Sequence, residues 1–155
     1  MKTTPREVTV MGTWDIGPFD NDTAADFAIE LDKAEMGERE ALIRGVLLRT
    51  ADATGYLSEA QQAVAAAALI AAQCSGGEPV ESGYGPEKPM PVFGSDVRML
   101  AIEVLDRVMG DEFGLAESWV AAEDGVRWLA SLRRLRTVLD PPAFRDVPLF
   151  EVEEA

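Results

Sequence analysis

Carboxylates are the residues of this sequence with the most scope for chemistry, and four of them fall in one short segment: Asp15, Asp20, Asp22 and Asp26. Clustered oxygen ligands of this kind suit a hard cation such as magnesium or calcium. The helix-loop-helix calcium pattern fails when it is counted from Asp20. The positions that need an oxygen ligand, a glycine and a bidentate acid hold Ala24, Ala25 and Leu31. We therefore expect these aspartates to cap a helix and predict no metal site.

Paired acids three residues apart form a second group: Glu78 and Glu81, Glu103 and Asp106, Glu35 and Glu38. Two such pairs on neighbouring helices hold magnesium in some all-α pyrophosphatases. Glu103 and Asp106 lie one turn apart on one helix face. The other pairs are interrupted by Pro79 and Gly37, so no continuous helix is predicted to align them. A magnesium-dependent hydrolase of a small phosphorylated substrate is therefore the alternative function, using Glu103, Asp106 and carboxylates of another helix.

Nucleophilic and general-base chemistry has few residues to draw on. The 155-residue chain contains no histidine and a single cysteine, Cys74. A reactive thiol needs a positive neighbourhood or a helix N-terminus, whereas Cys74 follows an alanine-rich helix. We expect a buried structural cysteine, no catalytic residue and no cofactor.

Net charge and length set the class of protein. Lys and Arg total 14 against 28 Asp and Glu, which gives a net charge of −14. Such a surplus repels nucleic acid and anionic membranes. The most apolar stretch, 60–74, is shorter than the ~20 residues that cross a bilayer. The start of the chain lacks the apolar region of a signal peptide. These features predict one acidic, cytoplasmic domain.

Apolar periodicity predicts a compact all-α bundle of about five helices, at 24–33, 38–53, 59–74, 95–109 and 124–139. Thr23, Ser58 and Ser95 are the predicted caps, with Asp26 and Gln61 completing capping boxes for the first two. The third helix has little side-chain bulk and is predicted at the centre of the bundle. Weaker patterns suggest a helix at 115–122 and a strand at 147–152 paired with 8–10.

A Gly- and Pro-rich segment, 75–94, separates the third and fourth helices. Its density of helix breakers predicts a long surface loop that is partly ordered. Tyr84, Met90 and Phe93 give this loop aromatic and soft apolar side chains, so they are the candidate interaction residues.

The segment 11–27 carries a specific motif: Met-Gly-x-Trp, then Gly-Pro-Phe and Asn-Asp before an alanine-rich helix. It resembles the opening signature of the bacterial proteins grouped as domain of unknown function 4259. Its signature residues here are Gly12, Trp14, Gly17, Phe19, Asn21 and Asp22. The resemblance implies a compact, mostly helical bacterial protein and brings no established activity. It aligns the family's initiator methionine with Met11, so we expect 1–10 to be an N-terminal extension and 11–155 a single helical domain.

The function expected from these features is non-catalytic binding. A large negative charge speeds association with a basic protein partner, and the loop offers apolar contacts. Small acidic bacterial proteins that neutralise basic nuclease toxins use the same attraction. An immunity-protein-like role is one form that this function would take.

Overall fold

The computed structural model describes residues 17–54, 57–77, 85–110 and 122–140. All regular structure in these ranges is helical, as predicted, and consists of α1 (Asp22–Lys33), α2 (Met36–Asp52), α3 (Ala60–Ala71), α4 (Ser95–Met109) and α5 (Ala122–Leu139). Each predicted long helix is confirmed, with ends that differ by no more than three residues. The predicted extension at 1–10, both predicted strands and nearly all of the predicted helix at 115–122 lie outside the described residues.

Helix α3 lies at the centre of the bundle, which confirms the prediction from its composition. It packs against α1, α2, α4 and α5, and every side chain from Ala63 to Ala71 is buried. Alanine has a high helix propensity and leaves room for neighbouring helices to approach closely. The larger apolar side chains of the surrounding helices, such as Leu31, Ile43 and Leu105, complete the core around it.

The predicted start of α1 was wrong by two residues because a different side chain caps it. Asn21, with extended backbone, accepts a hydrogen bond on Oδ1 from the Ala24 N–H at 2.8 Å. This bond satisfies one of the free amides of the first turn. Thr23 and Asp26, the predicted capping box, lie within the helix instead.

Helix α2 also starts earlier than predicted. Glu35 is its N-cap, and the Glu38 carboxylate accepts from the Glu35 N–H at 3.2 Å, which is one half of a capping box. Gly37 was predicted to interrupt the Glu35–Glu38 pair. This prediction was wrong, because the helix runs through Gly37. The two glutamates serve the helix start.

The predicted caps of α3 and α4 were also wrong. Glu59 is the N-cap of α3 and Gly94 is the N-cap of α4, each without a side-chain capping bond. Ser95 is the first residue of α4, and Ser58 precedes the cap of α3 by one residue. Capping patterns alone placed these helices correctly but assigned the cap to a neighbouring residue.

Helix α3 ends in a tight turn that requires glycine. Gly76 has a φ of +86°, a left-handed conformation that disfavours other residues. A side chain at Gly77 would collide with the Ala71 carbonyl at the end of the helix. The predicted role of this glycine pair as a stop signal is confirmed, although the helix itself ends at Ala71.

Two contacts establish that α2 and α4 run side by side in the same direction. Arg44 of α2 pairs with Asp96 in the first turn of α4 at 3.0 Å. Arg107 in the last turn of α4 donates to the Ala53 carbonyl, just after the end of α2. Helix α3 supplies the return between them, because Glu59 at its start pairs with Arg49 near the end of α2 and Gln73 just beyond its end bonds to Pro91 just before α4.

None of the helices in the described ranges combines the length and the apolar character required to span a membrane.

Candidate interaction surface

The signature residues that the structure describes build the start of α1. Gly17 and Asp20 close a turn in which the Asp20 N–H donates to the Gly17 carbonyl and the Gly17 N–H donates to Asp20 Oδ2, both at 3.1 Å. A side chain at Gly17 would collide with the Asp20 carboxylate. Phe19 is buried in the core, Asn21 caps the helix and Asp22 is exposed in its first turn. Gly12 and Trp14 lie outside the described residues, so their structural role stays a prediction.

Aspartates of this segment do not converge on a metal site within the described residues. The structure places Asp20 in the turn, while Asp22 and Asp26 are exposed on α1. Across the described ranges, no three Asp, Glu, Cys or His side chains gather closely enough to hold a metal ion. Asp15 lies outside those ranges.

The acidic pair on α4 has one member engaged by an arginine. The Asp106 carboxylate accepts two hydrogen bonds from Arg136 of α5, one from Nε at 2.6 Å and one from Nη2 at 3.1 Å. This fork geometry is the strongest form of a carboxylate–arginine pair and raises the pKa of Arg136. Glu103 is exposed. Glu78 and Glu81, the second predicted pair, lie outside the described residues.

Cys74 is half-buried, which corrects the prediction of a fully buried thiol. Its Sγ lies 3.6 Å from the Ile70 carbonyl oxygen, as a weak donor beyond the end of α3, and its side chain packs against the core.

Arg39 ties the loop before α4 to the bundle. This buried side chain on α2 donates from Nε to the Leu31 carbonyl at 3.0 Å and from Nη1 to the Pro89 carbonyl at 2.9 Å. The first carbonyl belongs to the C-terminal turn of α1, where the helix dipole favours a cation. One side chain therefore joins α1, α2 and the loop. We call residues 85–94 of that loop the strap.

Two further polar side chains fasten the strap. The Asp32 carboxylate, at the end of α1, accepts from the backbone N–H groups of Glu87 and Lys88 at 2.9–3.1 Å. Gln73 donates to the Pro91 carbonyl at 2.7 Å and accepts from the Phe93 N–H at 3.1 Å. The strap thus crosses one end of the bundle along a defined path.

The candidate interaction residues of the loop differ in their exposure to solvent. Met90 and Phe93 are half-buried and pack against the core. Val92, between them, has 90% of its surface exposed. Tyr84 lies outside the described residues. The strap therefore exposes Val92 to solvent, together with only part of Met90 and Phe93.

Four arginines in the described part of the chain are committed to internal ion pairs. Arg44, Arg49, Arg127 and Arg136 form ion pairs with Glu40, Asp96, Glu59, Asp124, Asp106 and Asp140. The guanidinium of Arg44 holds the pKa of the Asp96 carboxyl below its usual value. Arg136 bonds to two carboxylates of the protein itself, whereas Arg133 and Arg134 on the same helix are exposed.

Helix α1, by contrast, carries exposed carboxylates outside any ion pair of the described residues. Asp22, Asp26 and Glu30 are exposed at intervals of four residues, and none forms an ion pair within the described residues. Ile29 lies among them with 53% of its surface exposed.

Comparison with known proteins identifies the family. The model of a family described as Domain of unknown function (DUF4259) matches residues 12–131. The chain belongs to the DUF4259 family. The match covers α1 to α4 and the first half of α5 in this DUF4259 chain, which confirms the resemblance read from its opening segment. No curated protein and no solved structure matches it.

Sequence reasoning missed the three side chains that hold the strap. Arg39 carried a usable signal, because it lies four residues before Ile43 and on the same face as Val46 and Thr50, which are buried. A cation on a buried stripe has to find carbonyls or carboxylates. Asp32 and Gln73 carried no such signal, because their partners are backbone groups more than a dozen residues away.

Proposed function

We propose that this chain is a non-catalytic binding protein that engages a basic protein partner through its acidic surface and the loop 75–94. The supporting observation is the division of charge among the described residues. Arg44 and Arg49 of α2 and Arg127 and Arg136 of α5 form internal ion pairs, whereas Asp22, Asp26 and Glu30 of α1 are exposed and form no ion pair within the described residues. The excess negative charge therefore lies where an approaching molecule meets it.

The strap supports the same function because it is held in place before a partner arrives. Asp32, Arg39 and Gln73 fix its backbone, so the cost of ordering it on binding is reduced. Val92 supplies an exposed apolar contact, and Tyr84, Met90 and Phe93 remain the proposed contact residues of the loop.

Charge also limits the partners that this proposal includes. A net charge of −14 opposes binding to nucleic acid and to anionic membranes. We therefore propose a basic protein as the partner. We also propose a cytoplasmic location for the protein. A basic nuclease toxin is the partner class that an immunity-protein-like role implies.

The test begins with affinity capture on the immobilised chain, followed by kinetics with the purified captured protein. Electrostatic steering predicts that the association rate falls at least tenfold between about 10 mM and about 150 mM salt, as the screening length shrinks to ~8 Å. The dissociation rate should change much less.

Two results would overturn the proposal. One is an association rate that does not respond to salt. The other is magnesium-dependent turnover of a nucleotide or phosphate ester that is lost in Glu103→Gln, which would establish the alternative hydrolase function. Arg136→Gln is the matched control in that assay, because it frees Asp106 without removing a carboxylate.

A further inference from the structure

The backbone of the strap is hydrogen-bonded to the bundle along one edge. Arg39 donates to the Pro89 carbonyl. The Gln73 side chain donates to the Pro91 carbonyl and accepts from the Phe93 N–H. These bonds recur at every second residue, and the chain between Pro89 and Phe93 forms no helix, turn or bend. A two-residue repeat is typical of an extended strand. The Gln73 amide therefore takes the place that a peptide group of a neighbouring strand would take.

The planarity of the peptide bond determines what the other edge of the strap presents. The C=O of one residue and the N–H of the next point in opposite directions across a trans peptide, and no described peptide bond is cis. The groups on either side of Val92 are bonded to Gln73, so the Val92 N–H and C=O both point away from Gln73. The Met90 N–H follows the bonded Pro89 carbonyl and points away from Arg39 for the same reason. We call the backbone groups of 90–92 that point away from the bundle the outer edge.

The outer edge is unpaired within the described residues. Neither Met90 nor Val92 forms a backbone hydrogen bond there, and Val92 has 90% of its surface exposed. Pro89 and Pro91 have no N–H, so the two donors between Pro89 and Phe93 both belong to the outer edge. Unpaired N–H and C=O groups along an extended segment form a template for a second extended chain. Domains that bind peptides by strand addition use such an edge.

The strap is held in position before a partner binds, which lowers the cost of adding an extended segment to it. Asp32 fixes its first half through the Glu87 and Lys88 amides, as Gln73 fixes its second half. The exposed side chains of Glu87 and Lys88 carry opposite charges, so the outer edge selects a peptide mainly through its backbone. The net charge of −14 of the whole chain favours a basic segment over an acidic one.

We propose that the outer edge of the strap binds an extended basic segment of the partner protein by strand addition. The segment accepts a hydrogen bond from the Val92 N–H and donates one to the Val92 C=O, and the Met90 N–H supplies a further donor. The exposed Val92 side chain contacts an apolar residue of the segment. The inference rests on the proposed function, and it identifies the part of the loop 75–94 that binds and the kind of segment that it takes.

A synthetic peptide of about six residues that alternates valine and lysine is the probe, because it is extended and basic. Its matched control carries N-methyl groups on all backbone amides, which keeps the charge and side chains but removes the hydrogen-bond donors. Two variants of the full chain are compared. Val92→Pro removes the outer N–H, keeps an apolar side chain and leaves the bonds to Gln73 in place. Val92→Thr keeps the N–H and the shape of the side chain.

Fluorescence anisotropy at low salt measures the affinity, and circular dichroism verifies that the helices remain. The proposal predicts that N-methylation of the peptide weakens binding about tenfold or more, and that Val92→Pro weakens binding of the parent peptide by a similar factor. Val92→Thr changes the affinity less than about threefold, because it keeps the outer hydrogen bonds.

Amide hydrogen exchange of the ¹⁵N-labelled chain gives an independent readout. Binding of the parent peptide should slow exchange of the Met90 and Val92 amides, which have no partner in the described residues. The Phe93 amide is the internal control, since it is already bonded to Gln73 and should change little.

The contrary outcomes separate this binding mode from the proposed function. Equal affinity for the two peptides overturns strand addition and leaves binding through the acidic surface intact. A Val92 amide that is protected in the free chain shows that the outer edge is already covered, and protection that rises with protein concentration identifies a second copy as the occupant. Either result overturns the inference. A peptide affinity that does not fall as salt is raised contradicts the proposed function as well.

Discussion

Arg39 places a positive charge inside the bundle, and no carboxylate of the described residues forms an ion pair with it. Its compensation comes from the Leu31 and Pro89 carbonyls, the first of them at the negative end of α1. Its Nη1 also lies 3.8 Å from the Met36 sulfur, a weak acceptor. A buried charge held mainly by two backbone oxygens depends on each of those bonds, because a lost partner leaves a desolvated group unpaired.

We predict that Arg39→Met lowers the free energy of unfolding by about 2 kcal/mol or more, since hydrogen bonds to charged groups contribute about 1.5–3 kcal/mol each. Methionine retains the bulk of the side chain and removes the donors. Urea denaturation measures the change. Arg133→Met, at an exposed position of α5, should stay within about 0.5 kcal/mol of the unmodified protein. Equal midpoints for the two variants would show that Arg39 does not hold the strap.

Thr50 differs from Arg39, because its buried hydroxyl group adds no stability to the folded state. Its Oγ1 has no hydrogen-bond partner among the described residues, and the residue is 2% exposed on the inner face of α2. Thr50→Val is predicted to raise the free energy of unfolding by about 1 kcal/mol by removing an unsatisfied polar group. Thermal and urea denaturation measure it. A loss of more than about 1 kcal/mol would mean that the hydroxyl is hydrogen-bonded in solution.

At the scale of elements, α3 depends on the small size of its side chains. Ala66 is fully buried in the middle of a helix that contacts all four others. Ala66→Leu is predicted to destabilise the protein by about 1–3 kcal/mol, because added methylene groups have no space in a close-packed core. Ala41→Leu, at an exposed position of α2, is the matched control and should be nearly neutral. Equal free energies of unfolding for the two variants in chemical denaturation would contradict the central position of α3.

The contact between α2 and α4 makes a prediction about pH. Arg44 lowers the pKa of Asp96 below its usual value of 3.8. A carboxyl with a lower pKa in the folded state adds stability above pH 3.8 and loses that contribution as the pH falls through the folded pKa. The melting temperature of Asp96→Asn should therefore fall less steeply below pH 3.8 than that of the unmodified protein. A slope equal to that of the unmodified protein would show that Arg44 does not lower the pKa of Asp96.

At the scale of the whole molecule, local signals predicted the helices and their order. Apolar stripes located all five, and the alanine content of α3 indicated its central place. Most errors were at helix starts, where Asn21 and Glu35 act as caps in place of equally suitable neighbours. The end of α3 was also predicted three residues too late. Several side chains within a few residues can cap one turn, and tertiary packing decides among them.

The candidate interaction surface could be predicted from the sequence less completely than the fold. The acidic excess was evident, but its distribution depends on which carboxylates meet arginines from other helices, as Asp96 meets Arg44. The path of the strap depends in the same way on Asp32, Arg39 and Gln73, whose bonds to it span 18 to 56 residues. Such long-range pairings have no local periodicity, so a single sequence did not reveal them.

The most direct test of the proposed binding function is a map of where a basic peptide binds on the intact chain. Backbone amide chemical shifts of the ¹⁵N-labelled protein would be followed while an arginine-rich peptide is added at low salt. Binding through the acidic surface and the strap predicts that the largest changes fall on residues 85–94 and next to exposed, unpaired carboxylates, and that they diminish as salt is raised. Changes that do not respond to salt, or small uniform changes over the whole chain, would contradict this function.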